Sequence, residues 1–184
     1  MAGLPHYDQS IASRNKYEPV HQNLFEVTFL PPTGISGAPI LLEHVNSIAG
    51  LEGINPAVEA VGQKYKFADR SFGGMPAQTF IDAAITFSLN LNSTNQMYAY
   101  KTLRSWKDLI YNPLTGSMGL KANYTGTVII VEYNREGGIY RKLTLKDCFI
   151  TGQLTGLDAH DYATAEPLTI VATFRCDHWD ESLA

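Results

Sequence analysis

The chain has 184 residues, 45% of them hydrophobic, and its 14 basic and 18 acidic residues give a formal charge of −4. This length fits one large domain or two small ones, and the apolar content is sufficient for a core. The negative charge argues against a protein that grips nucleic acid, because such proteins present a basic face to the phosphates. It is compatible with a surface past which nucleic acid slides, since a weakly acidic surface repels phosphate.

The termini and apolar runs indicate no targeting or membrane segment. The first ten residues lack the basic start and apolar run of a secretory signal. The longest aliphatic run, residues 128–131, is far shorter than the roughly 20 residues of a membrane helix. We therefore expect no membrane partner and folding in a reducing cytoplasm, with Cys148 and Cys176 as thiols in core strands.

The first third of the chain is predicted to hold an arm and short strands. Residues 1–22 are polar and lack periodicity, which predicts an N-terminal arm. Alternating or apolar stretches predict strands at residues 23–30, 58–67 and within 40–49. Glycine and other turn-forming residues predict the loops that follow, at residues 31–39, 50–56 and 68–76.

The strongest pattern is a strand that runs directly into a helix within residues 77–111. Apolar and polar side chains alternate strictly along residues 85–92, which predicts a strand with one face on a core. From Ser93 the apolar period changes to three and four residues, which predicts a helix. Ser93 and Gln96 have the spacing of a capping box. The predicted buried stripe of this helix consists of Met97, Tyr100, Leu103, Trp106 and Ile110.

The second half of the chain is predicted to be β-structure. A hairpin spans residues 124–145 around a turn at 135–138, where glycine permits the positive φ that a tight turn needs. A strand or extension at 148–150 and a last strand at 168–176 follow, and residues 178–184 are read as a polar tail. Strands joined by hairpins favour a mainly β, antiparallel sandwich or barrel with one flanking helix. We assign a single domain to residues 23–181 and a C-terminal tail to residues 182–184.

The search for catalytic or metal-binding motifs is negative. The sequence holds no dinucleotide fingerprint, P-loop, GxSxG or HExxH. His160 lies between Asp158 and Asp161, but a solvated acidic loop explains this grouping as well as a metal site does. Ser71 lies beside Asp69, without the histidine that a hydrolase needs. We therefore predict no enzyme, no cofactor and no metal.

Four local sequences occur in an order that resembles a known family. They are Asn23-Leu24-Phe25-Glu26-Val27, Val61-Gly62, Asp69-Arg70-Ser71-Phe72 and Asp177-His178-Trp179-Asp180. With an alternating strand and a helix between the third and the fourth, they resemble the tail tube proteins of contractile-tailed bacteriophages over residues 23–181.

This resemblance implies an assembly. Six copies would close into a ring whose inner strands join between subunits into one ring-wide barrel, which removes exposed sheet edges. The rings would stack into a tube inside a sheath protein, around a tape-measure protein, between baseplate and tail terminator proteins. Genomic DNA would pass through without specific binding. The implied location is the virion tail, assembled in the host bacterial cytoplasm.

The resemblance and the polar faces together give two sets of candidate site residues. The uncharged outward face of the central strand is either a solvated sheet face or the lining of a passage; its candidate lumen-facing residues are Thr86, Ser88 and Asn90. The region after the first strands, residues 44–66, is expected to reach the next ring. The candidate inter-ring contacts are Gly50, Leu51, Glu52, Gly53 and Ile54.

Two alternatives stay open. Tube proteins of type VI secretion and of extracellular contractile injection systems share the fold that the resemblance implies, and their cargo would be a protein. A small-ligand-binding β-barrel would fit the 11% aromatic content. Against this second alternative, no convergent polar cluster is visible that would orient a ligand.

Overall fold

A computed structural model describes the chain over residues 20–56, 58–74, 79–90, 97–157 and 166–183. Its strands are β1 Phe25–Leu30, β2 Val45–Ala49, β3 Ala60–Lys64, β4 Asp69–Gly73, β5 Ile81–Ser88, β6 Tyr111–Asn112, β7 Ser117–Met118, β8 Gly126–Tyr133, β9 Ile139–Thr155, β10 Thr169–Cys176 and β11 His178–Leu183. The helices are α1 Ala38–Glu43, α2 Tyr98–Asp108 and α3 Lys121–Tyr124, with a 3-10 turn at Glu52–Ile54. The strand pairings are antiparallel, which confirms the mainly β, antiparallel prediction.

The long strand β9 belongs to two sheets. Up to Cys148 it pairs with β8 and β11, and from Phe149 onward it pairs with β10. The first sheet therefore has the order β1-β8-β9-β11, and the second sheet has the order β9-β10-β5-β2. Asp147, at the passage between them, has φ +55°, a left-handed conformation that aspartate tolerates better than most residues. Asp177 connects β10 to β11 at the same passage and accepts a hydrogen bond from Lys121.

The core lies between the two sheets. The predicted alternating strand at residues 85–92 is confirmed in part: Ile85 and Phe87 are buried, but β5 begins earlier, at Ile81, and ends at Ser88. Residues 91 and 92 lie outside the described residues. Phe29 of β1 joins the sheets, with its ring centroid 5.7 Å from that of Phe87 and 5.8 Å from that of Phe174. Truncating a buried phenylalanine of this kind to alanine costs about 3–5 kcal/mol.

Helix α2 closes the side of the sandwich, as the sequence predicts. Leu103 and Trp106 on its buried face are fully enclosed, and the Trp106 ring packs edge-on against Phe174 at 5.4 Å. Trp106 Nε1 donates a hydrogen bond to the carbonyl oxygen of Tyr124 at 2.8 Å, which satisfies the one polar atom of this buried side chain. The helix begins at Tyr98 after Met97, with no side-chain cap. The predicted capping residues 93–96 lie outside the described residues.

The predicted hairpin between β8 and β9 is also confirmed. Asn134 organises its turn: the backbone nitrogens of Glu136 and Gly138 donate to Asn134 Oδ1 at 3.0 and 2.7 Å. Gly137 supplies the positive φ, at +84°.

Four segments differ from the sequence prediction. Residues 69–73, assigned to a loop, form β4, which pairs with β3 but has no buried residue and therefore no apolar alternation. Residues 178–183, predicted to be a polar tail, form β11, which pairs regularly with β9 although its mostly polar side chains give no strand pattern in the sequence. The short helices α1 and α3 add to the single predicted helix. These elements show no apolar periodicity in the sequence, because the strands are defined by pairing with a partner strand and the helices are only about one turn long.

Candidate assembly surface

The outward face of the second sheet is uncharged along most of its length. Its four strand segments, β2, β5, β10 and residues 149–155 of β9, contain only two charged residues, Asp82 and Arg175. The predicted residues Thr86 and Ser88 lie on this outward face, half-buried between neighbouring strands. The register also places Phe149, opposite Arg175, on this face. Small or hydroxylated side chains make up most of the rest: Ser47, Ala49, Ala84, Thr151, Thr155, Thr169, Val171 and Thr173.

The position of Asn90 differs slightly from that of the other two predicted residues. It lies two residues past the end of β5, where it is exposed, and its carbonyl oxygen accepts a hydrogen bond from the backbone nitrogen of Met97 at 2.9 Å. Ser88 Oγ donates to Asn46 Oδ1 at 2.8 Å, which ties β5 to the bulge in β2. The structure thus brings the three predicted residues to one end of one strand.

The two charges on this face neutralise each other. Arg175 binds Asp82 through two hydrogen bonds of 2.8 and 2.7 Å and lies over the ring of Phe80 at 5.5 Å. The hydrogen bond from Arg175 lowers the pKa of Asp82, and partial burial opposes this shift. The same hydrogen bond raises the pKa of Arg175. The face therefore carries no net charge at neutral pH.

The outward face of the first sheet is different, because charged side chains are spread across it. It presents Glu26 on β1, Lys142 and Lys146 on β9, and Asp180 on β11. Tyr133 donates a hydrogen bond to Glu26 at 2.8 Å. The two sheets of one sandwich thus offer two chemically distinct outer surfaces.

The second sheet has two open edges among the described residues. β2 ends the strand order on one side. On the other side, residues 149–155 of β9 pair only with β10, because β8 pairs with β9 no further than Cys148. The first sheet is protected better: α1 packs against β1, and the edge strand β11 is polar. Unpaired strand edges are templates for another strand.

A groove accompanies the open edge at residues 149–155. It has a volume of about 740 Å³ and lies between this edge and α2. Its apolar lining includes Leu154 and Leu157, and its polar lining from α2 includes Tyr100, Arg104 and Lys107. A wider cavity of about 860 Å³ lies at the opposite flank, between β1 and β2. There His21 Nε2 is buried and bonds no described residue.

The β3–β4 hairpin extends from the sandwich with its residues exposed on both faces. Its apolar side chains are nevertheless large. The ring of Phe67 at its turn is 91% exposed, and Val61, Tyr65 and Phe72 are about half exposed. An isolated two-stranded ribbon with an apolar surface is marginal in water. The sequence predicts a loop for its second strand, and no apolar period there marks these aromatic residues as a surface.

The predicted inter-ring residues precede this hairpin in the chain and lie against β5. Ile54 is buried in the core, and Gly50 adopts φ +82° against the carbonyl oxygen of Asp82. Leu51 and Gly53 are half-buried, while Glu52 is exposed. Within this set, Glu52 is therefore the side chain most available to a neighbour, and Gly50 and Gly53 lie against β5.

The described residues contain no grouping of three or more histidine, cysteine or acidic side chains that could hold a metal ion. The loop with His160, Asp158 and Asp161 lies outside them. In the part of the chain that the structure describes, no helix is long and apolar enough to cross a membrane. Cys148 and Cys176 are buried thiols in the core. The next step of the β9–β10 register places these two cysteines opposite each other.

Solved structures share this architecture. A chain of the cap that terminates the anti-feeding prophage tube matches with a TM-score of 0.61 and 13% identity, covering 95% of this chain and 100% of that one. A chain from the sheath–tube complex of the PVC extracellular contractile injection system, in its extended state, matches at 0.58 and 13%, over 95% and 100%. The fold is that of contractile tail tubes. The predicted resemblance is thereby confirmed at the level of fold.

A third match comes from the six-fold symmetrised baseplate of the anti-feeding prophage, with a TM-score of 0.52 and 10% identity over 90% of this chain and 97% of that one. No protein-family model and no curated protein matches the sequence. At identities of 10–13%, the similarity is one of backbone fold, and most side chains at equivalent positions differ.

Proposed function

We propose that this protein is a structural subunit of the tube of a contractile injection machine. One observation carries the proposal: in a chain with the tail-tube fold, a sheet whose two edges are open among the described residues has an outward face with no net charge. Open edges serve a protein that pairs with copies of itself, and an uncharged face serves a passage, because charge of either sign holds a passing polymer back. The role is structural rather than enzymatic.

The ring would close through the second sheet. The β2 edge of one copy would add to residues 149–155 of the next, antiparallel to them, and so extend one barrel around the ring. In this arrangement Thr86, Ser88 and Asn90 line the lumen. Six-fold symmetry follows from the family resemblance, and the six-fold baseplate match supports it.

Stacking would use the β3–β4 hairpin and the segment that precedes it. Copies in the next ring would cover the exposed rings of Tyr65, Phe67 and Phe72, because burying such apolar surface is the main drive for association. Residues 50–54 would support the hairpin from their position against β5. The proposed contact overlaps the predicted inter-ring region, residues 44–66, but its main contacts lie on the β3–β4 hairpin.

The cargo and the other partners follow from the same assembly. In a phage tail the tube would surround a tape-measure protein and later conduct genomic DNA, and the particle would be a virion assembled in the host cytoplasm. The sheath would bind the charged outer face, and baseplate and terminator proteins would bind the ends. The alternative is an extracellular contractile injection system or a type VI secretion system, with protein cargo.

Gold labelling of engineered cysteines tests which face lines the lumen. Thr86→Cys places a thiol on the outward face of the second sheet, and the matched control Thr144→Cys places one on that of the first sheet. The native thiols are fully buried and should not react in the folded state. In electron micrographs of assembled tubes we expect maleimide–gold on the axis for Thr86→Cys and on the outside for Thr144→Cys. Absence of rings and tubes under every salt condition would refute the proposal.

A further inference from the structure

The two flanks of the second sheet carry opposite charges. Beside β2, Glu43 ends α1 and Glu52 lies in the 3-10 turn, and both are exposed. Beside the opposite edge, α2 presents Lys101, Arg104 and Lys107, with Asp108 as its acidic residue. A helix with three basic residues and one acidic residue is unlike the chain as a whole, which has a formal charge of −4.

The strand register fixes where the two acidic side chains lie along the β2 edge. Val45 pairs with Phe87, so Glu43, two residues earlier, lies at the Ser88 end of the sheet. Ala49 pairs with Ala84, so Glu52 lies toward the Ile81 end, where the 3-10 turn packs on β5.

The register also places residues 149–155, at the opposite edge, relative to the Ile81 and Ser88 ends of the sheet. Phe149 pairs with Arg175, which pairs with Asp82, so residue 149 lies at the Ile81 end. The C-terminal part of α2 is anchored there, because Trp106 bonds Tyr124 and the Tyr124 ring packs on Phe149 at 5.6 Å. The groove runs from this point toward Leu154, Leu157 and Tyr100. Lys107 therefore lies toward the Ile81 end and Arg104 one turn nearer the Ser88 end.

These charges are available to a neighbour. Glu43, Glu52 and Lys107 make no ion pair with any described residue. Arg104 donates to the hydroxyl oxygen of its own-helix neighbour Tyr100 at 3.0 Å, and this hydrogen bond raises the pKa of Arg104. Arg104 therefore stays charged and keeps further donors free for a carboxylate.

We propose that the opposite charges of the two flanks direct ring closure: Glu43 of one copy pairs with Arg104 of the next, and Glu52 pairs with Lys107. This inference rests on the proposed function and explains which edges of neighbouring copies meet. Antiparallel addition of β2 to residues 149–155 keeps the sheet ends in register, which brings Glu43 to the Arg104 side and Glu52 to the Lys107 side. The contact is head to tail, so each copy offers one acidic and one basic flank, and like flanks repel.

Charge reversal tests the proposal with two complementary variants. One carries Arg104→Glu and Lys107→Glu, so that both of its flanks are acidic; the other carries Glu43→Lys and Glu52→Lys, so that both are basic. We expect neither variant to form rings alone at concentrations about tenfold above those at which the wild type assembles. An equimolar mixture should restore rings, because every contact between unlike copies then joins opposite charges. Such rings alternate strictly and need an even number of copies.

A matched control carries Lys142→Glu and Lys146→Glu on the outward face of the first sheet, where both lysines are exposed. It should form rings as the wild type does. Circular dichroism and thermal melting check that each variant folds. Should a reversed variant fail to fold, Arg104→Gln with Lys107→Gln replaces it, and the assembly threshold of this variant should lose most of its dependence on salt.

The outcomes separate this proposal from the function on which it rests. Wild-type rings, with both folded variants inactive alone and active together, support it. Wild-type rings with either folded variant also assembling alone, or with a mixture that stays unassembled, overturn the charge pairing and leave the tube function standing. A wild type that forms no rings overturns the tube function itself.

Discussion

Gly126, the first residue of β8, lies where that strand passes beneath α2. A Cβ at this position would come within 2.7 Å of both the Leu30 carbonyl oxygen and the Trp106 ring. Since the backbone and an enclosed indole cannot both move aside, we expect Gly126→Ala to lower the free energy of unfolding by about 1–3 kcal/mol. Urea denaturation measures the change. Gly62→Ala in the exposed β3 is the matched control, because nothing lies within 4 Å of its Cβ position; a similar loss there would contradict the explanation.

The ion pair between Asp82 and Arg175 predicts that the free energy of unfolding decreases slightly at acidic pH. The pKa of Asp82 is lower in the folded state than its ordinary 3.8, so its contribution to stability is present above pH 3.8 and is lost as the pH falls through the folded-state value. Because both side chains are about 40% exposed, the contribution is below about 1 kcal/mol. Urea unfolding of Asp82→Asn should therefore show a deficit at pH 7 that disappears at strongly acidic pH. A deficit that is equal at both pH values would contradict this.

At the scale of elements, sequence periodicity predicts whatever has one face on the core. Residues 85–88 of β5 follow their predicted alternation, and the β8–β9 hairpin has its predicted turn chemistry. In α2, Leu103 and Trp106 of the predicted stripe are buried, together with Ala99 and Thr102. β4 and β11 were misread, because one is exposed throughout and the other carries mostly polar side chains, so that pairing with a neighbouring strand defines them. Periodicity detects burial, whereas strand pairing is non-local and leaves no mark on a single segment.

The β3–β4 hairpin provides a prediction about an element. Phe67 at its turn is 91% exposed, so Phe67→Ser should change the free energy of unfolding by less than about 0.5 kcal/mol. If the hairpin makes the inter-ring contact, the same variant should form rings that fail to grow into long tubes, as counted by negative-stain microscopy. Leu114→Ser is the matched control, since Leu114 is 94% exposed on the separate β6–β7 hairpin. Long tubes from Phe67→Ser would move the stacking contact elsewhere.

At the scale of the whole molecule, the candidate site is only partly visible in the sequence. Alternation along one strand placed Thr86 and Ser88 on an outward polar face, and the structure agrees. The sequence does not reveal the open edges and their charged flanks, because Glu43 and Arg104 are 61 positions apart. Only the strand order β9-β10-β5-β2 places these two residues beside opposite edges of one sheet. A site made by assembly has no local motif to detect.

The two outer faces of the sandwich give the molecule its polarity. One face is uncharged apart from a neutralised ion pair, and the other carries charges of both signs. A subunit that shows one face to a passage and the other to a surrounding protein needs this difference, whereas a freely soluble monomer has no reason to segregate its charges in this way. We therefore propose that the second sheet forms the inner wall of a ring.

Helical reconstruction of the assembled protein by cryo-electron microscopy would show directly which sheet forms the inner wall. We predict a hollow tube of stacked rings whose inner wall is one continuous antiparallel barrel, with β2 of each copy beside residues 149–155 of the next and Thr86 facing the axis. A tube lined by the charged face of β8 and β9, or rings whose copies meet through other edges, would contradict it.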